Sequence, residues 1–199
     1  RSRSALALAH GQRSGKPGSG RPALGRRLAG HARDLEGGVG KTTLIHRLVT
    51  GRYSDQLMTI GMGFATKVMR TRDGQKVKLQ LWDIGGQSRF RLFLPSAKGG
   101  AKGVILVFDL SRPSTFARLD DWVRLVRTDL PPGKHVPIIL VGAKCDLARR
   151  VMVEAARRYV NRMNLDGYVE TSSKENINVE IPFERLLQLF ESQAGGIAK

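Results

Sequence analysis

The 199-residue chain has a single cysteine, Cys145, so it can form no disulfide within itself and offers no cysteine cluster for zinc. A reducing, cytoplasmic setting is the expectation that follows. No apolar run approaches the roughly 20 residues needed to cross a bilayer as a helix. The first thirty residues also lack the apolar segment of a secretory signal. Acidic residues are scarce: 17 Asp and Glu stand against 34 Lys and Arg, for a net charge of +17. That imbalance admits nucleotides, acidic proteins, nucleic acid and anionic lipid as ligands without choosing among them. The tail from Gly195 to Lys199 contains no cysteine, so no prenyl anchor is expected there.

What is present falls into two textures. Residues 1–34 are rich in Gly, Ser, Pro, Ala and Arg, with eight Lys and Arg against one Asp, and keep no strand or helix period apart from a weak helical pattern around 24–31. Such a segment cannot bury enough apolar surface to offset its ordering entropy, so a disordered basic leader is expected, either a divergent native arm or the product of a wrongly joined 5′ coding region. A third reading makes it a nucleic-acid or membrane arm, although nucleic acid is not the partner we expect.

Residues 35–192 alternate apolar strands with amphipathic helices, and 193–199 form a short tail. Leu44, Ile45, Leu48 and Val49 mark one helix face; Val77, Leu79 and Leu81 alternate with Lys76, Lys78 and Gln80 as a half-buried strand. Asp73-Gly74 supplies the turn of a hairpin to a strand over 64–71. The unbroken apolar runs 104–110 and 136–142 suit parallel strands covered on both faces. Helices are expected over 114–128, 151–164 and 179–192, the last with Val179, Phe183, Leu186, Leu187 and Phe190 as its buried stripe. This order predicts a doubly wound, mostly parallel α/β sheet.

The chemistry lies in the connections. Gly37-Gly38-Val39-Gly40-Lys41-Thr42-Thr43 opens a helix and reads as a phosphate loop: glycine amides wrap phosphate oxygens, Lys41 neutralises charge, and the Thr42 hydroxyl suits Mg²⁺. The consensus wants glycine at position 35, where Leu35 stands. Trp82-Asp83-Ile84-Gly85-Gly86-Gln87 ends a strand with a carboxylate able to reach a metal through water. Lys144-Cys145-Asp146 follows an apolar strand; Asp146 can accept two hydrogen bonds that guanine offers and adenine does not, while the Lys144 stem can lie over the base.

These motifs, with Thr59-Ile60-Gly61 and the run Glu170-Thr171-Ser172-Ser173-Lys174-Glu175-Asn176-Ile177-Asn178-Val179-Glu180, resemble the Ras-like small GTPases, most nearly the Rab type, with an Arf-like Gly-Gly-Gln. The resemblance covers about residues 37–192. It implies a GTP-hydrolysing P-loop domain that switches between GTP and GDP, and a nucleotide site built from Gly38, Val39, Gly40, Lys41, Thr42, Thr43, Thr59, Gly86, Lys144, Asp146, Ser172, Ser173 and Lys174. Mg²⁺ would be held by Thr42, Thr59 and Asp83; Gln87 would orient the attacking water; the Ser173 amide would face the guanine oxygen. An exchange factor, an activating protein and effectors are the implied partners at the switch segments near 59 and 83–95.

Two departures bear on this. Ala143 replaces the usual Asn, which removes hydrogen bonds to base and loop and predicts weaker nucleotide affinity. Residues 30–36, in the place of an apolar central strand, include Arg33 and Asp34, which a doubly covered strand tolerates poorly. A scaffold with impaired nucleotide binding is therefore the alternative function.

Overall fold

The computed structural model describes residues 5–13, 38–54, 62–84, 101–128, 130 and 135–195. Six strands form one sheet in the order β2-β3-β1-β4-β5-β6. In chain order these are β1 (Ala5–Arg13), β2 (Met62–Arg70), β3 (Lys76–Ile84), β4 (Gly103–Asp109), β5 (Ile138–Ala143) and β6 (Gly167–Thr171). The helices are α1 (Lys41–Thr50), α2 (Pro113–Phe116), α3 (Leu119–Arg127), α4 (Val153–Arg162) and α5 (Ile181–Gly195).

β4, β5 and β6 are parallel neighbours. β4 and β5 are buried along their whole length, which is what unbroken apolar runs predict for strands covered on both sides. The period of two divides their side chains. Ile105, Val107, Ile139 and Val141 join Leu44 and Leu48 of α1 and Phe183 and Leu186 of α5 in one core. Val104, Leu106, Phe108, Ile138 and Leu140 join Trp122 and Val123 of α3 and Tyr159 of α4 in the other. The doubly wound α/β class thus stands, with its parallel part in β4–β6. β6 escaped the sequence reading, because Gly167–Thr171 is short and carries polar residues at the rim of the sheet.

β2 and β3 form the expected antiparallel hairpin, closed by Gly74 at φ 81° and a hydrogen bond from its N–H to the Thr71 carbonyl at 3.0 Å. The helix expected over 114–128 breaks at Ala117 and Arg118 into α2 and α3.

The centre of the sheet requires a correction. Ala5–Arg13, expected to be part of a disordered leader, is β1, and it lies antiparallel to both β3 and β4, with Leu8 opposite Trp82 on one side and Val104 on the other. The physical reason is the unpaired backbone that an empty slot would leave on both neighbours; the Ala-Leu-Ala-Leu-Ala run is the apolar stretch of the leader able to enter it. Arg13 lies opposite Val77, at the beginning of β3. β1 therefore runs away from the edge that carries Asp83, instead of leading into Gly38. Residues 30–37, including Arg33, Asp34 and Leu35, lie outside the described residues, as does the weak helical pattern at 24–31. Among the described residues no helix is long and apolar enough to cross a membrane.

Candidate functional site

The site gathers at the edge of the sheet where β3, β4, β5 and β6 end. Gly38 at φ 77° and Gly40 at φ 96° adopt the left-handed backbone that glycine accepts without strain, and they turn the chain into α1. Such a turn followed by a helix start presents amides and a positive dipole end to an anion. A Cβ added to Gly40 would lie 3.7 Å from the Ala143 Cβ and 3.8 Å from the Lys144 Cε, so the end of β5 lies directly against the loop.

Lys41, the first residue of α1, is buried and its ammonium is in contact with the Asp83 carboxylate at the end of β3. Burial pushes the Lys41 ammonium down to about 7, and the contacting carboxylate opposes that by favouring its charged form. The Thr42 hydroxyl donates to Asp83 Oδ2 at 2.5 Å. A hydroxyl and a carboxylate placed together are hard oxygen donors, a set suited to Mg²⁺. Gly63, the cross-strand partner of Asp83, makes room for it, since a Cβ there would come within 3.3 Å of the Asp83 Cβ.

Lys144 follows β5 with φ 61°, and its ammonium donates to the Gly38 carbonyl at 2.7 Å while pairing with Asp109 Oδ2 at 2.7 Å. Asp109 was not singled out from sequence, yet it organises this side of the site. Its carboxylate also accepts from the Ser111 N–H at 2.8 Å, the Ser111 hydroxyl at 2.6 Å and Arg112 Nε at 2.9 Å. Burial alone would raise its pKa; Lys144 and the Ser111 donors outweigh that and hold it below the usual carboxylate range. The available signal was an acid ending the apolar run of β4, the place where a buried carboxylate is most readily satisfied by the following turn.

Asp146 is exposed on the turn after Lys144, and Ser173 and Lys174 are half-buried and exposed on the turn after β6. The two turns are joined by the Cys145 N–H donating to the Thr171 carbonyl at 3.1 Å. Ser172 is buried; its backbone bridges to Ile177 in both directions and its hydroxyl accepts the Glu175 N–H at 3.0 Å. Beside them Arg149 holds Glu170 through two hydrogen bonds and keeps that carboxyl below its ordinary range. The structure therefore brings Gly38 to Thr43, Asp83, Lys144, Asp146 and Ser172 to Lys174 to one edge. Thr59, Gly86 and Gln87 lie outside the described residues.

A glycine turn opening a helix thus meets one strand end that carries Asp83 and another that is followed by Lys144 and Asp146, and the model of the Ras family matches residues 36–192. The chain belongs to the Ras family. Ras-related protein YPTC6 of Chlamydomonas reinhardtii is 36% identical to it over 155 residues, covering 76% of this chain and 70% of that protein. Ras-related protein RABA2a of Arabidopsis thaliana is 35% identical over the same span and shares. Ras-related protein Rab-3D of Homo sapiens is 35% identical over 154 residues, 76% of this chain and 68% of that protein. Ras-family membership makes this a Rab-like small GTP-binding protein. Guanine nucleotide with Mg²⁺, and regulators and effectors in general, are what the family binds.

Proposed function

We propose that this chain is a slow GTPase switch, hydrolysing bound GTP to GDP in the cytoplasm and depending on an activating protein for speed. The observation that carries the reading is the meeting of Lys41, Thr42 and Asp83 under the Gly38–Gly40 turn, with Lys144 tied to the same turn. In this reading the amides from Gly38 to Thr43 wrap the phosphates and Lys41 exchanges Asp83 for phosphate oxygens. Thr42, Asp83 and Thr59 would hold Mg²⁺, which would supply neutralisation of phosphate charge. Gly86 meets the terminal phosphate and Gln87 orients the attacking water, whose oxygen bonds to the γ-phosphorus as the bond from phosphorus to the bridging oxygen breaks, leaving GDP, inorganic phosphate and the proton released from the water. Asp146 and Lys144 select guanine beside the Ser172–Lys174 turn.

Docking of an exchange factor, an activating protein and effectors at the segments near Thr59 and 83–95 is supported by Phe64, 57% exposed on edge strand β2 and packed edge-on against Trp82 with ring centroids 5.4 Å apart.

The test is to extract nucleotide from the purified protein and then follow single-turnover GTP hydrolysis. GDP or GTP in the extract and slow hydrolysis that Gln87→Leu retards by about tenfold or more are expected. Guanine nucleotide that is bound but never hydrolysed would leave a scaffold; none bound at all would end the switch reading.

A further inference from the structure

The turn that carries Asp146 is fixed at both ends by its neighbours in the fold. At its start, Lys144 reaches the Gly38 carbonyl and the Cys145 N–H reaches the Thr171 carbonyl. At its finish, the Arg150 and Val151 N–H groups both donate to the Leu110 carbonyl, at 2.9 and 3.1 Å. Between these ties the chain is exposed from Asp146 to Arg150, and Leu147 and Ala148 have no polar side chain to hold it. Arg149 supplies that hold: its Nη1 donates to Glu170 Oε1 at 2.7 Å and its Nη2 to Glu170 Oε2 at 2.5 Å.

Glu170 is itself set in place before Arg149 reaches it. Tyr168, two residues earlier and so on the same face of β6, donates its hydroxyl to Glu170 Oε1 at 2.8 Å. Gly142, the cross-strand partner of Glu170 on β5, leaves room for that hydroxyl, since a Cβ there would lie 2.8 Å from it. The Glu170 carbonyl accepts from Asn178 Nδ2 at 3.0 Å, just beyond the Ser172–Lys174 turn. One residue thus holds both turns assigned to the base, one through its side chain and the other through its backbone. An ion pair whose arginine side chain is 33% exposed adds little to stability, but a two-pronged guanidinium–carboxylate contact fixes direction as well as distance. Direction matters here: Lys144 has φ 61°, a backbone that non-glycine residues keep only where their surroundings impose it.

We propose that Arg149 is a positioning residue for base selection: clamped on Glu170, it holds the turn after β5 so that the Asp146 carboxylate meets the N1–H and the 2-amino group of guanine together. This rests on the guanine-nucleotide reading above. Arg149 touches neither base nor phosphate, and its effect is confined to how well Asp146 makes the second of those two hydrogen bonds.

The experiment compares GDP and inosine diphosphate as competitors of a fluorescent GDP analogue on the unmodified chain, Arg149→Met and Arg149→Lys, with melting curves to show that each variant is folded. Hypoxanthine is guanine without the 2-amino group, so inosine diphosphate reports damage to everything except the second hydrogen bond. The unmodified chain is expected to prefer GDP by about tenfold or more, the size of one hydrogen bond to a charged acceptor. Arg149→Met should weaken GDP by about tenfold and inosine diphosphate by much less, so that the preference closes, and Arg149→Lys, which keeps the charge but not the two-pronged contact, should fall in between. If Arg149→Met does not fold, the same comparison is read on Arg149→Lys. Equal weakening of the two nucleotides would make Arg149 a structural tie and overturn the inference, as would unchanged affinities or an unmodified chain that binds both nucleotides equally. An unmodified chain that binds neither would overturn the nucleotide reading itself, a result distinct from the others.

Discussion

Ala143 and Thr171 stand opposite each other at the ends of β5 and β6, and the Thr171 hydroxyl, on a residue 0% exposed, has no hydrogen-bond partner among the described residues. The short apolar side chain at 143 offers nothing to a hydroxyl that burial has already removed from water. Leaving such a group unsatisfied costs on the order of 1 to 3 kcal/mol.

Ala143→Asn should therefore stabilise the protein. An amide there can engage Thr171 Oγ1 and the adjacent glycine turn, and a gain of about 1 kcal/mol corresponds to a melting temperature higher by roughly 2 to 4 °C in a chain of this size. GDP affinity should rise with it. A melting curve in which Ala143→Val does as well as Ala143→Asn would show that volume, not hydrogen bonding, is what the position lacks.

Asp109→Asn should loosen the same edge from the other side, because Lys144 and Arg112 lose the charge they share. Removing one partner from a buried, hydrogen-bonded ion pair is expected to cost about 2 kcal/mol here, half of the donors still being usable by an amide. The pH dependence has a definite sign. Asp109 is held below its ordinary range in the folded chain, so its contribution is complete at neutral pH and is lost as pH falls through the ordinary carboxylate range and then through its own lower one. The stability curves of the two proteins should converge on the acid side; curves that stay parallel between pH 7 and pH 3 would remove Asp109 from the account.

Base selectivity tests Asp146. Exposed on the turn after Lys144, it is free of the core, so Asp146→Asn should leave the melting temperature within about 1 °C while shifting preference from guanine toward xanthine nucleotides. The amide can donate where xanthine presents a carbonyl. Equal competition by ATP and GTP for the unmodified protein would contradict the assignment.

The central strand can be tested through its backbone alone. Leu8 pairs with β3 on one side and β4 on the other, so Leu8→Pro removes a ladder donor in mid-sheet. A loss of several kcal/mol, and a melting temperature lower by about 10 °C, is the expected result. An unchanged melting curve would mean that β1 contributes nothing to the sheet.

The sequence by itself determined what depends on neighbours along the chain. The left-handed turn at Gly38 and Gly40, the start of α1 that follows it, the hairpin at Gly74 and the two-sided burial of β4 and β5 all follow from local backbone preference and from the period of apolar residues. The motif residues from Gly38 to Thr43, Asp83, Lys144 and Asp146 stand out for the same reason, since each lies at the end of a recognisable element, whereas Ser172 to Lys174 follow the unrecognised β6 and stood out only through the resemblance. Only the tertiary structure decided which segment fills the central slot. Strand pairing is fixed by backbone groups that any sequence carries, so Ala5–Arg13 could enter antiparallel, against the expectation drawn from residues 30–36. Tertiary register also set Ala143 against Thr171, and it brought Asp109 and Arg112 to Gly38 from a turn that holds no recognisable motif. Contacts between residues far apart in sequence depend on how strands align in space, and no period along the chain records that alignment.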